Sequence, residues 1–398
     1  MVDRQPVKDW ASHFDHMDPQ WVEDSYPIWK QLCDACLIAH TRRFQGVYFP
    51  WCFAEVRAIA YDTEHYSSRR LAICETRPPL TEAPPVTSDP PQHRVRRILL
   101  MPLFAAGALH SLEPRIRAFR QRSVDAQRDN STCDGTADYA QRIPTHVTTL
   151  MLGVAERGGS RFGQWLRDFL EIGIIDPATV ERPTTDVVAY SSFSTEQRRV
   201  APREDLISCA LNLELGGQKL SDDHVQRDPT PAAVCRHRHG LGRNRRRAVV
   251  SGDACGRSPP PGGRTGPDPD RRRTGLARLS IGHHGPRGGE GDHDRWPPFQ
   301  GEMVMPPSGT ANRDRAVFDS PDTLVMDRTE NHRASLGRDL HHYIGAHLAR
   351  VEITVALEKW PRAVPEFELQ PGAAVTWSAG AVRSMRSLPL TLRERFDV

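Results

Sequence analysis

Leu336-Gly337-Arg338-Asp339-Leu340-His341-His342-Tyr343-Ile344-Gly345-Ala346-His347-Leu348-Ala349-Arg350 carries the chain from a loop into its last long helix. From Ile344 onward, Ile344, Leu348, Val351, Val355 and Trp360 recur as one amphipathic stripe, and Arg350, Glu352, Glu358 and Lys359 are expected on the opposite, solvated side. His332, His341, His342 and His347 form a dense imidazole group with nonspecific metal affinity, which helical geometry spreads over several faces.

Upstream, Asp89-Pro90-Pro91-Gln92-His93-Arg94-Val95-Arg96-Arg97 begins a second helix. The prolines impose extended or turn geometry, after which Val95, Ile98, Leu99 and Leu103 follow helical spacing. His93 and Arg97, four apart, share a helical face and can hold a pair of carboxylates through charge-assisted bonds; a solvated basic face is the plainer alternative. Further helices are expected around Pro27–Ala35, Glu113–Gln127, Gly163–Leu170 and Arg203–Leu215, with short strands at Ile38-Ala39-His40 and Val47-Tyr48-Phe49. The fold class expected is mainly α with a small β-sheet near the N-terminus.

Composition narrows the function. No apolar run reaches the ~18 residues that a membrane span needs, and the first ten residues lack a secretory core, so the expected location is cytoplasmic with no membrane partner. Lys+Arg 53 against Asp+Glu 50 gives a net charge of +3, too little for a global field toward nucleic acid. The 8 cysteines are scattered, which argues for reduced thiols rather than a disulfide scaffold. Cys33-Asp34-Ala35-Cys36 has redox or zinc spacing, but no second pair or nearby His completes a site, and a structural role is the simpler reading. No internal repeat is found.

The chain divides into 1–226, 227–299 and 300–398. In the middle part Arg, Gly and Pro make up about half of the residues, in runs such as Arg245-Arg246-Arg247, Pro259-Pro260-Pro261 and Arg271-Arg272-Arg273, without an apolar period. As written this is a basic linker of low order. A nucleic-acid-binding arm from Arg236 to Arg273 is the rival function, disfavoured by the lack of Lys and of interleaved aromatics.

Asn312-Arg313-Asp314, Phe318-Asp319-Ser320-Pro321-Asp322 and Asp327-Arg328 complete the pattern. The order Asp-Pro-Pro-x-His-x-x-x-Arg, then Asn-Arg-Asp-x-x-x-Phe-x-x-Pro-Asp, then Gly-x-x-Leu-Ala-Arg resembles a soluble bacterial cytochrome P-450 over about four-fifths of the chain. The resemblance implies a haem-enclosing, mostly helical fold and a monomer. It implies hydroxylation of a small organic substrate with dioxygen and electrons from a ferredoxin-type donor. His93 and Arg97 would anchor a haem propionate, and His341 would assist. Gly337 and Gly345 would be glycines of the haem loop.

The family's loop reads Phe-Gly-x-Gly-x-His-x-Cys-x-Gly, and its Cys thiolate is the axial iron ligand. Counting back from Gly345, Leu348, Ala349 and Arg350 puts Tyr343 in the place of that Cys, Leu336 in the place of the Phe and Asp339 in that of the second Gly. Cys to Tyr and Gly to Asp are single-base changes. Three outcomes stay open: phenolate ligation by Tyr343, as in catalase-type sites, imidazole ligation by His341 or His342, or no stable haem. The resemblance also implies a central helix with Ala-Gly-x-Asp-Thr and a later Glu-x-x-Arg pair, and neither is written here. Reading each codon from its second base, Cys235-Arg236-His237-Arg238-His239-Gly240 permits Ala, Gly, Ile, Asp, Thr. With the same offset, Gly282 to Gly291 permits Val-Thr-Met-Ala-Arg-Glu-Val-Val-Lys, similar to the strand that follows the Glu-x-x-Arg helix. The middle part is therefore expected to be out-of-frame translation, with His237, His239, His283 and His284 carrying no selected role. The catalytic set is not intact, and the expectation is a degenerate, inactive member or the product of a pseudogene.

Overall fold

A computed structural model of the protein describes residues 5–35, 38–70, 85–154, 158–168, 181–215, 218–219, 283–284, 303–325, 328–329, 341–378 and 383–393. Helices α1 (Trp10–His13) and α2 (Pro19–Glu23) each begin at an aspartate that accepts a first-turn N–H, Asp9 from Ala11 at 3.0 Å and Asp18 from Gln20 at 2.9 Å. α3 (Tyr26–Ala35) leads into the hairpin β1 (Ile38–Thr41) and β2 (Val47–Pro50), then α4 (Phe53–Tyr61). Both strands stand where their β-branched and aromatic residues placed them. Trp10, Phe14, Trp21, Trp29 and Phe49 pack between hairpin and helices as one aromatic cluster.

The helical body comprises α5 (Gln92–Leu100), α6 (Ala106–His110), α7 (Glu113–Asp125), α8 (Arg142–Met151), α9 (Gly159–Arg167), α10 (Glu181–Val200) and α11 (Leu206–Leu211). Strands β3 (Thr132–Asp134), β4 (Glu214–Leu215), β5 (Gln218–Lys219), β6 (His283–His284) and β7 (Met303–Val304) are interspersed. After them come α12 (Ser308–Ala311), α13 (Ala346–Ala363), β8 (Phe367–Leu369), β9 (Thr376–Trp377), β10 (Met385–Ser387) and β11 (Pro389–Leu392). The main sheet has the order β1-β2-β7-β6, with β2 and β7 parallel and the outer pairs antiparallel. A three-stranded sheet, β3-β11-β8, closes the C-terminal end. Ile116, Ile143, Val147, Leu348 and Val355 are fully buried where α7, α8 and α13 meet, and burying each such side chain contributes about 1.5–3 kcal/mol.

The structure departs from the sequence reading in four places. The helix expected over Arg203–Leu215 is only Leu206–Leu211, because Asp205 caps its start through the Ser208 N–H, Asn212 ends it, and Glu214–Leu215 pairs with Gln218–Lys219. On α5 the inward face belongs to His93, Leu99 and Leu100, whereas Val95 and Ile98 face solvent, because a polar ring fills the inner position beside His341. Glu352, expected on the solvated side of α13, is buried. His283–His284, inside the segment expected to lack order, forms a strand antiparallel to Met303–Val304. The remainder of 227–299 lies outside the described residues, as do Cys235–Gly240.

The β3–β11 junction gives a pH prediction. The Asp134 carboxylate accepts from Thr136 and Ala137 N–H at 2.8 and 3.0 Å, from Ser387 Oγ at 2.6 Å and from Leu388 N–H at 3.1 Å. Burial pushes its pKa up, but these hydrogen bonds outweigh burial and hold it below the ordinary value. A depressed folded-state pKa means that the stabilisation is fully present above the unfolded carboxylate's pKa and is lost as pH falls through the folded one. Asp134→Asn is therefore expected to lower the urea midpoint at neutral pH, with the gap to wild type shrinking toward about pH 3. A gap independent of pH would contradict this.

Candidate functional site

Asp89 organises the site from below. Its carboxylate accepts from Ser67 Oγ at 2.7 Å and from the Ser68 N–H at 2.8 Å, and Arg69 pairs with it at 3.2 Å. Its backbone carbonyl accepts the His93 N–H at 2.9 Å, so one residue ties the 67–69 segment to the start of α5. His93 is buried, and its ring meets that of His341 edge to face with centroids 4.6 Å apart. Ser68 Oγ and His341 Nε2 share a 2.8 Å hydrogen bond. Arg97, one turn beyond His93, donates from Nη2 to the His342 carbonyl. The structure thus gathers His93 and Arg97, one helical turn apart, and the distant His341 into one basic cluster. Ser68 and Asp89 were not singled out from the sequence, although Asp89 directly precedes the two prolines that fix the helix start.

Tyr343 is buried three residues before α13 begins at Ala346. Its ring packs with Ala346 and Ala349 and folds back over Gly345. A Cβ on Gly345 would stand 2.7 Å from the Tyr343 hydroxyl, so the glycine is needed for this close approach. Gly337, Leu336, Asp339, His332 and Asp327 lie outside the described residues. The Asn312–Asp322 motif is structural: Asp314 Oδ2 accepts the Phe53 N–H at 2.8 Å and so starts α4, Phe318 packs on Phe53, and Arg313 pairs with Asp322 while lying 3.8 Å over the Tyr26 ring.

A haem brings two carboxylates and an iron, and the two ends fit differently. Burial pushes the Arg97 guanidinium below its ordinary pKa, and no carboxylate among the described residues pairs with it. A partly desolvated guanidinium beside two imidazoles and a hydroxyl suits a propionate. At the position where the resemblance expects the iron ligand the chain has a phenol folded against its own helix, and no thiol lies between 336 and 350. The described cysteines, Cys33, Cys52, Cys133 and Cys209, stand on α3, just before α4, on β3 and on α11, and none belongs to this loop. Among the described residues no group of three or more His, Cys, Asp or Glu could hold a bare metal ion. The residues fit the carboxylates of a haem and do not supply a thiolate.

Comparison with solved structures defines the class. The fold matches that of cytochrome P450 CYP101C1 with a TM-score of 0.81, covering 99% of this chain and 100% of that one at 24% identity. It matches CYP109Q5 from Chondromyces apiculatus with a TM-score of 0.81 at 27% identity, over 96% and 99% of the two chains. The architecture is therefore the cytochrome P-450 fold. Curated relatives agree: the chain is 26% identical to the probable cytochrome P450 127A1 of Sinorhizobium fredii, over 89% of this chain and 85% of that protein. It is 27% identical to the mycinamicin IV hydroxylase/epoxidase of Micromonospora griseorubida, over 85% and 87%. No family model matches. The chain belongs to the bacterial cytochrome P-450 family, a family of haem monooxygenases. Among the described residues, no helix is long and apolar enough to cross a membrane.

Proposed function

We propose that this chain is a cytochrome P-450 that keeps the cradle for the haem carboxylates and has lost monooxygenase activity. What supports the proposal is a tyrosine, Tyr343, where the resemblance puts the axial cysteine, three residues before α13 begins at Ala346. A bound haem supplies the redox chemistry that activates dioxygen in this family, and a thiolate ligand favours O–O cleavage. Of the chain's own residues, Arg97 and His93 would hold the carboxylates, Ser68 hydrogen-bonds His341, and Asp89 ties the 67–69 segment to the start of α5. Residues 227–299 are out-of-frame translation of the segment that would supply the acid and alcohol for proton delivery. The ferredoxin-type donor and small organic substrate belong to the ancestral reaction.

Two measurements test this reading. Sequencing the gene across codons 220 to 305 is expected to show one base gained or lost at each end of the garbled stretch relative to intact relatives. Product formation with dioxygen and a reduced ferredoxin is expected to stay at background; turnover that depends on residue 343 would overturn the proposal. For the cradle, Arg97→Ala removes charge-assisted bonds worth about 1.5–3 kcal/mol. Haemin titration of the haem-free protein is expected to show affinity lowered about 10–100-fold, and an unchanged affinity would exclude Arg97 as an anchor.

A further inference from the structure

Tyr343 lies on a shelf of small residues. Its side chain is 7% exposed and packs with Ala346 and Ala349, which share one face at the start of α13. The Tyr343 carbonyl accepts the Ala346 N–H at 3.0 Å, and the Gly345 carbonyl accepts the Ala349 N–H at 2.9 Å, so a closed turn beneath the ring runs straight into the helix. Gly345 completes the shelf. A Cβ there would stand 2.7 Å from the Tyr343 hydroxyl, 2.8 Å from Cζ and 3.1 Å from Cε2. The far edge of the ring, with its oxygen, therefore rests against backbone two positions further along the chain. Gly345 has φ −82°, outside the left-handed region, so the ring rather than the backbone excludes a larger side chain.

We infer that Tyr343 is a packing residue and not an iron ligand: Gly345, Ala346 and Ala349 hold its ring against the start of α13 and away from the metal of a haem seated by the Arg97 cluster. The inference rests on the reading of residue 343 as the axial position. A phenolate ligand needs its oxygen turned toward the metal, as in catalase-type sites, whereas this oxygen is turned onto Gly345. A phenol also reaches farther from the backbone than a thiol. At a position spaced for sulfur it has to fold aside for a haem held by its carboxylates to seat, and the three small residues give it a place to fold. Of the three outcomes that the sequence left open for the iron, ligation by the phenol is the one this packing opposes.

Haem-loaded wild type and Tyr343→Phe are expected to give superimposable ferric absorption and resonance-Raman spectra, without the vibrations of an iron-bound phenolate. Phenolate vibrations in wild type that vanish in Tyr343→Phe would overturn the inference. That failure would leave the carboxylate cradle standing, since the cradle is read separately from the haemin affinity of Arg97→Ala. The shelf itself is read on the haem-free full chain, by nitration with tetranitromethane and mass spectrometry of the tyrosine peptides. In wild type, Tyr343 is expected to react about 10-fold or more slowly than Tyr61, which is 46% exposed. In Gly345→Ala a methyl group takes the space of the ring edge, and nitration of Tyr343 is expected to rise about 10-fold while that of Tyr61 stays unchanged. A Tyr343 rate equal to that of Tyr61 in wild type, or one that Gly345→Ala leaves unchanged, would overturn the shelf and the inference with it. Should Gly345→Ala fail to fold, or wild type take up no haem, the nitration ratio in wild type decides.

Discussion

Tyr343→Cys is expected to give the haem-reconstituted, reduced and carbon-monoxide-treated protein the red-shifted Soret band of a thiolate-ligated iron, while product formation stays at background. Residue 343 is placed by Gly345 and by the start of α13, which the substitution does not touch. Removing the phenol clears the ring packed on Ala346 and Ala349, and a thiol that meets a metal there loses its proton outright. The spectroscopic change is from absent to complete. On the proposed reading of residues 227–299 activity does not follow, because the acid and alcohol for proton delivery are not restored, and a missing positioned proton donor alone costs about 10²–10⁴-fold in rate. Turnover restored by this one substitution would show that the 227–299 segment is not the defect assigned to it. Turnover restored only when the frame is also repaired would support both assignments.

Arg198→Ala is expected to destabilise the protein by about 3–5 kcal/mol, the cost of breaking a buried ion pair from one side. Arg198 Nε donates to Asp205 Oδ2 at 2.7 Å, with side-chain exposures of 6% and 1%, and Nη2 donates to the Gly153 carbonyl at 2.9 Å. The same carboxylate caps α11 through the Ser208 N–H at 2.8 Å, so the end of α10, the start of α11 and the turn after α8 meet at one carboxylate. Gly153 has φ +62°, and a Cβ there would come within 2.2 Å of Asp205 Oδ2, which leaves no room for a compensating side chain. Urea unfolding measures the loss, and Arg198→Lys should recover only part of it because a single ammonium cannot reach both acceptors. A loss below about 1 kcal/mol, typical of surface pairs, would contradict the burial argument.

The residues that were legible in the sequence are those whose role is written locally. Ile38–His40 and Val47–Phe49 declared themselves by residue type, and the stripe from Ile344 to Trp360 declared α13. His93 and Arg97 were legible because the helix repeat puts them on one face, and motif order supplied His341. Other features depend on distant partners. Glu352 reads as a surface residue until Arg120, 232 positions earlier, is folded against its helix. Val95 and Ile98 look like core by spacing, yet the interior of α5 is claimed by an imidazole that packs on the haem-loop imidazole. α8 buries Ile143, Val147 and Met151 at helical spacing, but it also buries Thr145, His146, Thr148 and Thr149, and their burial depends on neighbours that the local pattern does not show. The Ser68 and Asp89 contacts could not be anticipated, because Asp89 before two prolines reads as an ordinary turn and Ser68 lies 21 positions earlier in the sequence.

The most direct measurement is the absorption spectrum of the wild-type protein itself, reconstituted with haem, reduced and exposed to carbon monoxide. Without sulfur beneath the iron, it is predicted to lack the thiolate-type Soret band, whether or not haem is retained through Arg97 and His93. A full thiolate-type band from the unaltered chain would contradict the assignment of Tyr343 to the axial position and, with it, the proposed loss of activity.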